Sequence, residues 1–247
     1  MMDGDLGLPK KGGVIALERG LAILMSFNFA KDALRLTDLA KITGLNKSTV
    51  LRLCTSLERQ GFVKRREDGR FQLGSAVFML GEIYKHSLHI VELVAPVMRN
   101  LVDKVNESAT FTVLEGDSVV CLHKVESSQA IRDAGSLAGD RYDLNRGGAS
   151  STVLRAFSGE TGAPFDELRK NILAESHGAL FPDAAAVACP IFGMDGAMVG
   201  AIQLSGPQSR FTPDYVKNIK NIILEAATEI TRTLGGNTVV YAEAKTD

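Results

Sequence analysis

The chain is predicted to be an α+β protein in two parts. Short helices closed by a basic hairpin come first, and a mainly antiparallel sheet flanked by helices follows. Three observations predict this. Residues 36–57 hold two short amphipathic segments separated by Gly44. Phe62-Val63-Lys64-Arg65-Arg66 and Arg70-Phe71-Gln72-Leu73 flank Glu67-Asp68-Gly69, and Asp-Gly between two strand-like runs is a strong hairpin signal. From Ala109 the apolar period shortens to that of strands, and a long helical period returns after Thr212.

Met1 to Gly13 is polar and glycine-rich and reads as a flexible arm; Lys10 and Lys11 either touch phosphate or belong to a disordered tail. Val14 to Phe29 forms a helix with Leu17, Leu21, Leu24 and Phe27 on one side, and Ala30 to Arg35 is a connection. Thr37 serves as N-cap of the next helix, with Asp38 in its first turn and Leu39, Ala40 and Ile42 on its apolar side. Gly44 takes the left-handed conformation that ends it. Asn46 caps a second helix from about Lys47 to Gln60. Val50, Leu53, Cys54 and Leu57 face inward there, and Ser48, Arg52, Thr55 and Arg59 lie opposite, flanked by Lys47 and Thr49. This is the helix-turn-helix pattern, whose second helix enters the DNA major groove; an ordinary helical hairpin shares it. Gly61 ends the helix, and the hairpin beyond it carries Lys64, Arg65, Arg66 and Arg70. Directly after a helix-turn-helix, a basic hairpin reads as a wing suited to phosphates or the minor groove. The competing reading is a solvated edge that discourages sheet pairing. The candidate DNA contacts are Lys47, Ser48, Thr49, Arg52, Thr55, Arg65, Arg66 and Arg70.

Ala76 to about Leu88 reads as a linker helix with Val77, Leu80, Ile83 and Tyr84 apolar. A second helical run from Ile90 to Val105 contains Pro96, which starts or kinks it. The apolar residues of this connector serve either a dimer or the neighbouring core. Ala109 to Leu114 and Ser118 to Lys124 form a hairpin around Glu115-Gly116-Asp117. One or two strands are expected between Arg132 and Leu144, and helices over Gly147 to Phe157 and Pro164 to Ala174. Strands Ala185 to Phe192 and Ala197 to Ser205 join through Met194-Asp195-Gly196. Thr212-Pro213-Asp214 starts a helix that reaches about Leu234, with Val216, Ile219, Ile223, Ala226 and Ile230 inward. The resulting domains are a flexible arm (1–13), a winged helix-turn-helix domain (14–74), a linker helix (75–89), a sheet domain (90–236) and a loose tail (237–247).

The net charge of −1 conceals an asymmetry. Through Ser75 there are thirteen Lys/Arg against eight Asp/Glu; beyond it there are fifteen against twenty-one. Only the first part is suited to meet a polyanion. Cys54, Cys121 and Cys189 fit no disulfide framework and no zinc spacing, which points to reduced thiols in the cytoplasm. No apolar run reaches membrane-spanning length, no signal peptide is apparent, and no glycine-rich phosphate loop or metal cluster calls for a cofactor. An enzyme remains the alternative, with Cys121 or Cys189 as nucleophile and His123 or His177 as base. Cys121 and His123, two apart on a strand, would share a face.

Taken in order, several motifs resemble regulators of the IclR family. They are Leu17-Glu18-Arg19-Gly20-Leu21-Ala22-Ile23-Leu24, Leu45-Asn46-Lys47-Ser48-Thr49-Val50-Leu51-Arg52-Leu53 and Phe71-Gln72-Leu73-Gly74. Ala188-Cys189-Pro190-Ile191-Phe192, Leu204-Ser205-Gly206-Pro207 and Arg210-Phe211-Thr212 follow. The resemblance runs from about Gly13 to Gly235. It implies a winged-helix DNA-binding domain, a helical linker and an effector-binding domain related to GAF domains. It also implies homodimers that often pair into tetramers, and repression or activation of catabolic operons, with small carboxylates as common effectors. Because a single winged helix reads few base pairs, a dimer on a near-palindromic operator is expected. By position, the backbone amides of Gly148 and Ala149 match groups that hold the effector carboxylate, and Pro190, Gln203 and Ser205 match pocket-lining positions. Ser150 adds a hydroxyl, Leu144, Ile191 and Ile202 add apolar walls, and Asp183 is the acid nearest the position of the family's acidic cluster. The chain departs from the family in having Ser150-Ser151 where Gly-Lys is common, and in a shorter segment before Ala185. If these small residues are not a site, they serve tight helix–sheet packing.

Overall fold

The structure, a computed structural model, describes residues 13–28, 31–87, 89–133 and 135–244. The flexible arm expected before residue 13 and the last three residues of the expected tail lie outside the described residues. The chain divides after Ser87 into two units.

The first unit contains α1 (Ile15–Leu24), β1 (Ala33–Leu34), α2 (Leu36–Thr43), α3 (Lys47–Arg59), β2 (Val63–Arg65), β3 (Phe71–Leu73) and α4 (Ser75–Ser87). Gly44, at φ +67°, turns the chain between α2 and α3. The Asn46 side chain then accepts the Thr49 N–H at 2.8 Å and starts α3. Ile23, Leu34, Leu39, Val50, Cys54, Val63 and Phe71 form one buried core. Each large apolar side chain among them contributes roughly 1.5–3 kcal/mol by leaving water.

Three expectations change here. Thr37 lies inside α2 rather than at its cap: Arg35 is the N-cap residue, and the Asp38 carboxylate in the first turn accepts its N–H at 3.0 Å. The connection before α2 contains a strand: β1 pairs with β3, opposing Leu34 to Phe71. Leu17, Leu21 and Ile42 are exposed, while Gly20 and Ile23 are buried. Residues 20 and 23 share one side of a helix with 3.6 residues per turn and positions 17 and 21 fall away from it; α1 ends at Leu24, short of Phe27.

The second unit contains α5 (His89–Val105), β4 (Ser108–Glu115), β5 (Ser118–Val125), β6 (Arg141–Asp143), α6 (Ala149–Phe157), α7 (Phe165–Asn171), β7 (Ala174–His177), β8 (Ala184–Phe192), β9 (Met198–Pro207), α8 (Pro213–Thr233) and α9 (Val239–Ala244). Six antiparallel strands lie in the order β6-β5-β4-β9-β8-β7. Residues 185, 187, 189 and 191 of β8 join a core with α5 and α8, whereas 186 and 188 join one with α6 and α7. That alternation is the pleat of a strand covered on both faces.

Among the described residues between Arg132 and Leu144, β6 is the one strand. The helix expected to reach Ala174 stops at Asn171, with Ile172 in the left-handed region at φ +58°; β7 follows. The tail is not loose through Ala244. Tyr241 of α9 is 1% exposed; its hydroxyl donates to the Pro190 carbonyl at 2.8 Å and meets the Thr231 hydroxyl at 2.7 Å. The second unit therefore extends beyond residue 236.

Candidate functional site

Two regions bring the candidate residues together. On α3, Lys47, Ser48, Arg52, Thr55 and Arg59 are exposed along one side, with Thr49 half-buried beside them. The Ser48 hydroxyl donates to Asn46 Oδ1 at 2.9 Å and the Thr55 hydroxyl to the Leu51 carbonyl at 2.9 Å, so both also hold the helix. Lys47 and Arg52 are the long cations of this face near its N-terminal half. In the hairpin, Arg65 lies over the Phe71 ring at 5.7 Å and donates its backbone N–H to Glu58 at 3.2 Å. Arg66 stands 3.8 Å from Asp32. Arg70 is clamped by Asp68, with Nε at 2.8 Å and Nη2 at 2.7 Å. The Arg70 guanidinium holds the Asp68 carboxyl below its usual range. Part of the wing's charge is therefore already balanced within the hairpin.

The second region is a cavity of about 30 Å³ at the start of α6, room for about two waters. Gly148 caps α6 at φ +99°, a conformation open to glycine, and a side chain there would approach Leu180. The Ala149 N–H donates to Ser176 Oγ at 3.1 Å. The Ser150 N–H and hydroxyl both donate to Gln203 Oε1, at 3.2 and 2.9 Å. Neutral oxygens thus answer the first amides of a helix whose positive dipole end faces the cavity. Tyr142 also lines it; burial pushes its phenol up to about 12, so it remains a neutral hydroxyl.

Of the residues expected at this site, Gly148, Ala149, Gln203 and Ser205 line the cavity, and Ser150 bonds to its wall. Leu144 does not; it packs against the core beneath α6. Pro190 lies farther along β8, its carbonyl occupied by Tyr241. Ile191 and Ile202 face the core of α5 and α8 on the other side of the sheet. Asp183 is exposed and uses its backbone carbonyl to accept the Gln208 N–H at 2.8 Å. The acid in the cavity wall is instead Asp133, together with Ser136, Ser176, Leu180 and Phe181. Its signal in the sequence was Asp133 two residues before Gly135, the spacing of an Asx turn; Asp133 accepts the Gly135 N–H at 2.7 Å.

The Cys/His alternative fails on geometry. An irregularity in β5 opposes Cys121 to Thr112 and His123 to Phe111. Those partners are successive residues of β4, so the two side chains leave opposite faces of the sheet. Burial also pushes the Cys121 thiol up to about 12 and Cys189 well above its usual range, which disfavours a thiolate nucleophile. His177 is exposed on β7. Among the described residues no cluster of His, Cys, Asp and Glu can hold a metal ion, and no helix is long and apolar enough to cross a membrane.

Residues 16–67 match the family profile described as the IclR helix-turn-helix domain. Residues 83–163 and 163–232 match the profile of the bacterial transcriptional regulator IclR C-terminal domain. The chain is 29% identical to the transcriptional repressor IclR of Escherichia coli, over 92% of this chain and 93% of that protein. It is 26% identical to the HTH-type transcriptional regulator KipR of Bacillus subtilis, over 88% of this chain and 96% of that protein. A solved IclR-type regulator from Silicibacter sp. superposes with a TM-score of 0.72 at 27% identity, covering 90% of this chain and 97% of that one. An IclR homologue from Microbacterium hydrocarbonoxydans, complexed with 4-hydroxybenzoate, shares the fold with a TM-score of 0.75 at 20% identity, over 89% and 98% of the two chains. A helix-turn-helix profile and an IclR C-terminal profile, matched in order over most of the chain, identify a DNA-binding transcriptional regulator of the IclR family.

Proposed function

We propose that the chain acts as a homodimer, or a pair of dimers, on a near-palindromic operator of a catabolic operon, with a small carboxylate bound at the start of α6 as the effector. In this reading α3 enters the major groove, where Arg52 reads a base edge and Lys47, Ser48, Thr49 and Thr55 set the register. Arg65, Arg66 and Arg70 of the wing meet phosphates. The dimer is supported by apolar side chains left exposed on α1 (Leu17, Leu21), at Met25 just past its end, and on α4 (Phe78, Met79, Leu80, Ile83).

The effector reading rests on one observation: the Ala149 and Ser150 amides point at neutral oxygens of Ser176 and Gln203. A carboxylate replacing those oxygens gains charge-assisted hydrogen bonds and the favourable end of the helix dipole. The 4-hydroxybenzoate of the Microbacterium homologue belongs to this ligand class. An acid larger than two waters must move Leu180 and Phe181 aside, which gives binding a way to change the domain. Ser150→Asp tests the site by supplying a carboxylate from the chain itself, in a first helical turn where acids are favoured. In calorimetric titrations with small acids, the variant should lose at least tenfold in affinity while keeping its melting temperature. Unchanged affinity for an acid that alters operator binding moves the site elsewhere.

A further inference from the structure

The far wall of the same cavity is acidic. Asp133 lies in the loop between β5 and β6; its Oδ2 accepts the Ser205 hydroxyl at 2.6 Å and its Oδ1 the Gly135 N–H at 2.7 Å. The loop is pinned at Asp133 and two residues before it. The Lys124 side chain, 4% exposed, donates to the Asp133 carbonyl at 3.1 Å. Arg210 donates to the Ile131 carbonyl at 3.0 Å and is itself held by the buried Glu107 at 2.7 Å. A Cβ on Gly135 would overlap the Phe181 ring, so the loop presses against the opposite lip. Asp133 is thus a fixed part of the wall rather than a surface acid.

A carboxylate accepts in about four directions and donates in none. Gly135 and Ser205 fill two of those directions at Asp133, and the others meet whatever enters the cavity. We infer that Asp133 selects, among small carboxylates, those that also carry a hydrogen-bond donor, a hydroxyl or an ammonium group. The ligand's carboxylate takes the start of α6 and its donor turns to Asp133. This inference rests on the effector reading above. A ligand with acceptor oxygens alone faces Asp133 with like charge and leaves it desolvated without a new partner. Sites built to hydrogen-bond a donor reject analogues that lack it more strongly than apolar pockets reject a missing methylene.

The test uses matched acids titrated calorimetrically into the full-length protein: acetate, glycolate and glycine; propionate, lactate and alanine; benzoate and 4-hydroxybenzoate. In the wild type, the tightest series should favour its donor-bearing member by about tenfold or more. Asp133→Ala should bring that ratio near one. Asp133→Asn, which can keep the Gly135 bond, should fall between the two and serves if the alanine variant unfolds. A donor-free acid that binds best in the wild type, or a preference unchanged in both variants, overturns the inference and leaves the carboxylate site standing. If no acid binds the wild type or either variant, the carboxylate reading of the cavity fails, and the inference with it.

Discussion

Arg52 and Asn46 divide the work of the recognition helix. Asn46 fixes where α3 begins, through its bond to the Thr49 N–H, and Arg52 stands exposed on the outward side of the second turn. Arginine at that position can bridge guanine O6 and N7. Arg52→Ala should cost about 1–3 kcal/mol of specific binding and relax one position per half-site. Equal losses on operator and random DNA would make it a phosphate contact, and no loss on either would remove α3 from the interface. The buried thiols bear on stability instead. Burial holds Cys54 at about 11 and Cys121 at about 12, against an ordinary value of 9.0. Above pH 9 the unfolded chain therefore releases protons that the folded chain keeps. The stability present below pH 9 falls as pH rises, toward about 11 for Cys54 and about 12 for Cys121, by at most about 1.4 kcal/mol per pH unit for each thiol. Urea midpoints from pH 8 to 10 should fall less steeply for Cys121→Ala than for the wild type; parallel lines would contradict this. Single residues were legible where their chemistry is local, as at Asn46. Asp133 offered only the local spacing of an Asx turn; its place in the cavity wall was not legible, because its partner Ser205 lies far away in sequence.

At the scale of elements, the hairpin of β2 and β3 offers a test that its ion pairs refine. Two of its arginines stand near acids, Arg70 against Asp68 and Arg66 at 3.8 Å from Asp32, and exposed pairs of this kind are worth little. Arg65→Ala with Arg66→Ala should flatten the dependence of log affinity on log salt by roughly two units, about 0.9 per lost phosphate contact. Asp68→Ala should leave the slope the same or steepen it by releasing Arg70. An unchanged slope in the double variant would reject the wing as a DNA element. Helices and hairpins with their own periodicity and turn residues were readable: α2, α3, α8 and the three Gly-centred hairpins lie within a residue or two of expectation. The elements β1, β7 and α9 are two to six residues long, and their partners lie elsewhere in the chain. The face assignment failed in β8 for a related reason. Eight of its nine residues are buried, so apolar character says nothing about which side each one faces. Ile191 was consequently placed in a pocket on the other side of the sheet, whereas Pro190, expected there from the family resemblance, lies too far along β8 to line it.

For the whole molecule, the charge asymmetry and the exposed apolar helices lead to the operator. The residues through Ser75 carry thirteen Lys/Arg against eight Asp/Glu, so attraction to DNA belongs to the N-terminal unit, while the acidic remainder opposes contact with phosphate. One winged helix reads too few base pairs to be found in a genome, because each matched pair supplies only about 1–3 kcal/mol of discrimination against a vast excess of competing sites. Two copies related by a two-fold axis double the site and make it nearly palindromic, with half-sites set about one helical turn, or a multiple of it, apart. The exposed apolar side chains of α1 and α4 are suited to such pairing, since surfaces of this kind are unusual on a monomer. Light scattering should give a dimer or tetramer, and footprinting on the upstream DNA should protect two related half-sites. Polar replacement of Phe78 and Ile83, both exposed on α4, should weaken assembly and operator binding together without lowering the melting temperature of the monomer. A monomer that protects one short asymmetric site would contradict the two-fold arrangement. If assembly holds, an acid that weakens operator binding by some factor must itself bind more weakly to the DNA-bound protein by the same factor. That equality can be measured from both sides and ties the cavity at α6 to the face of α3.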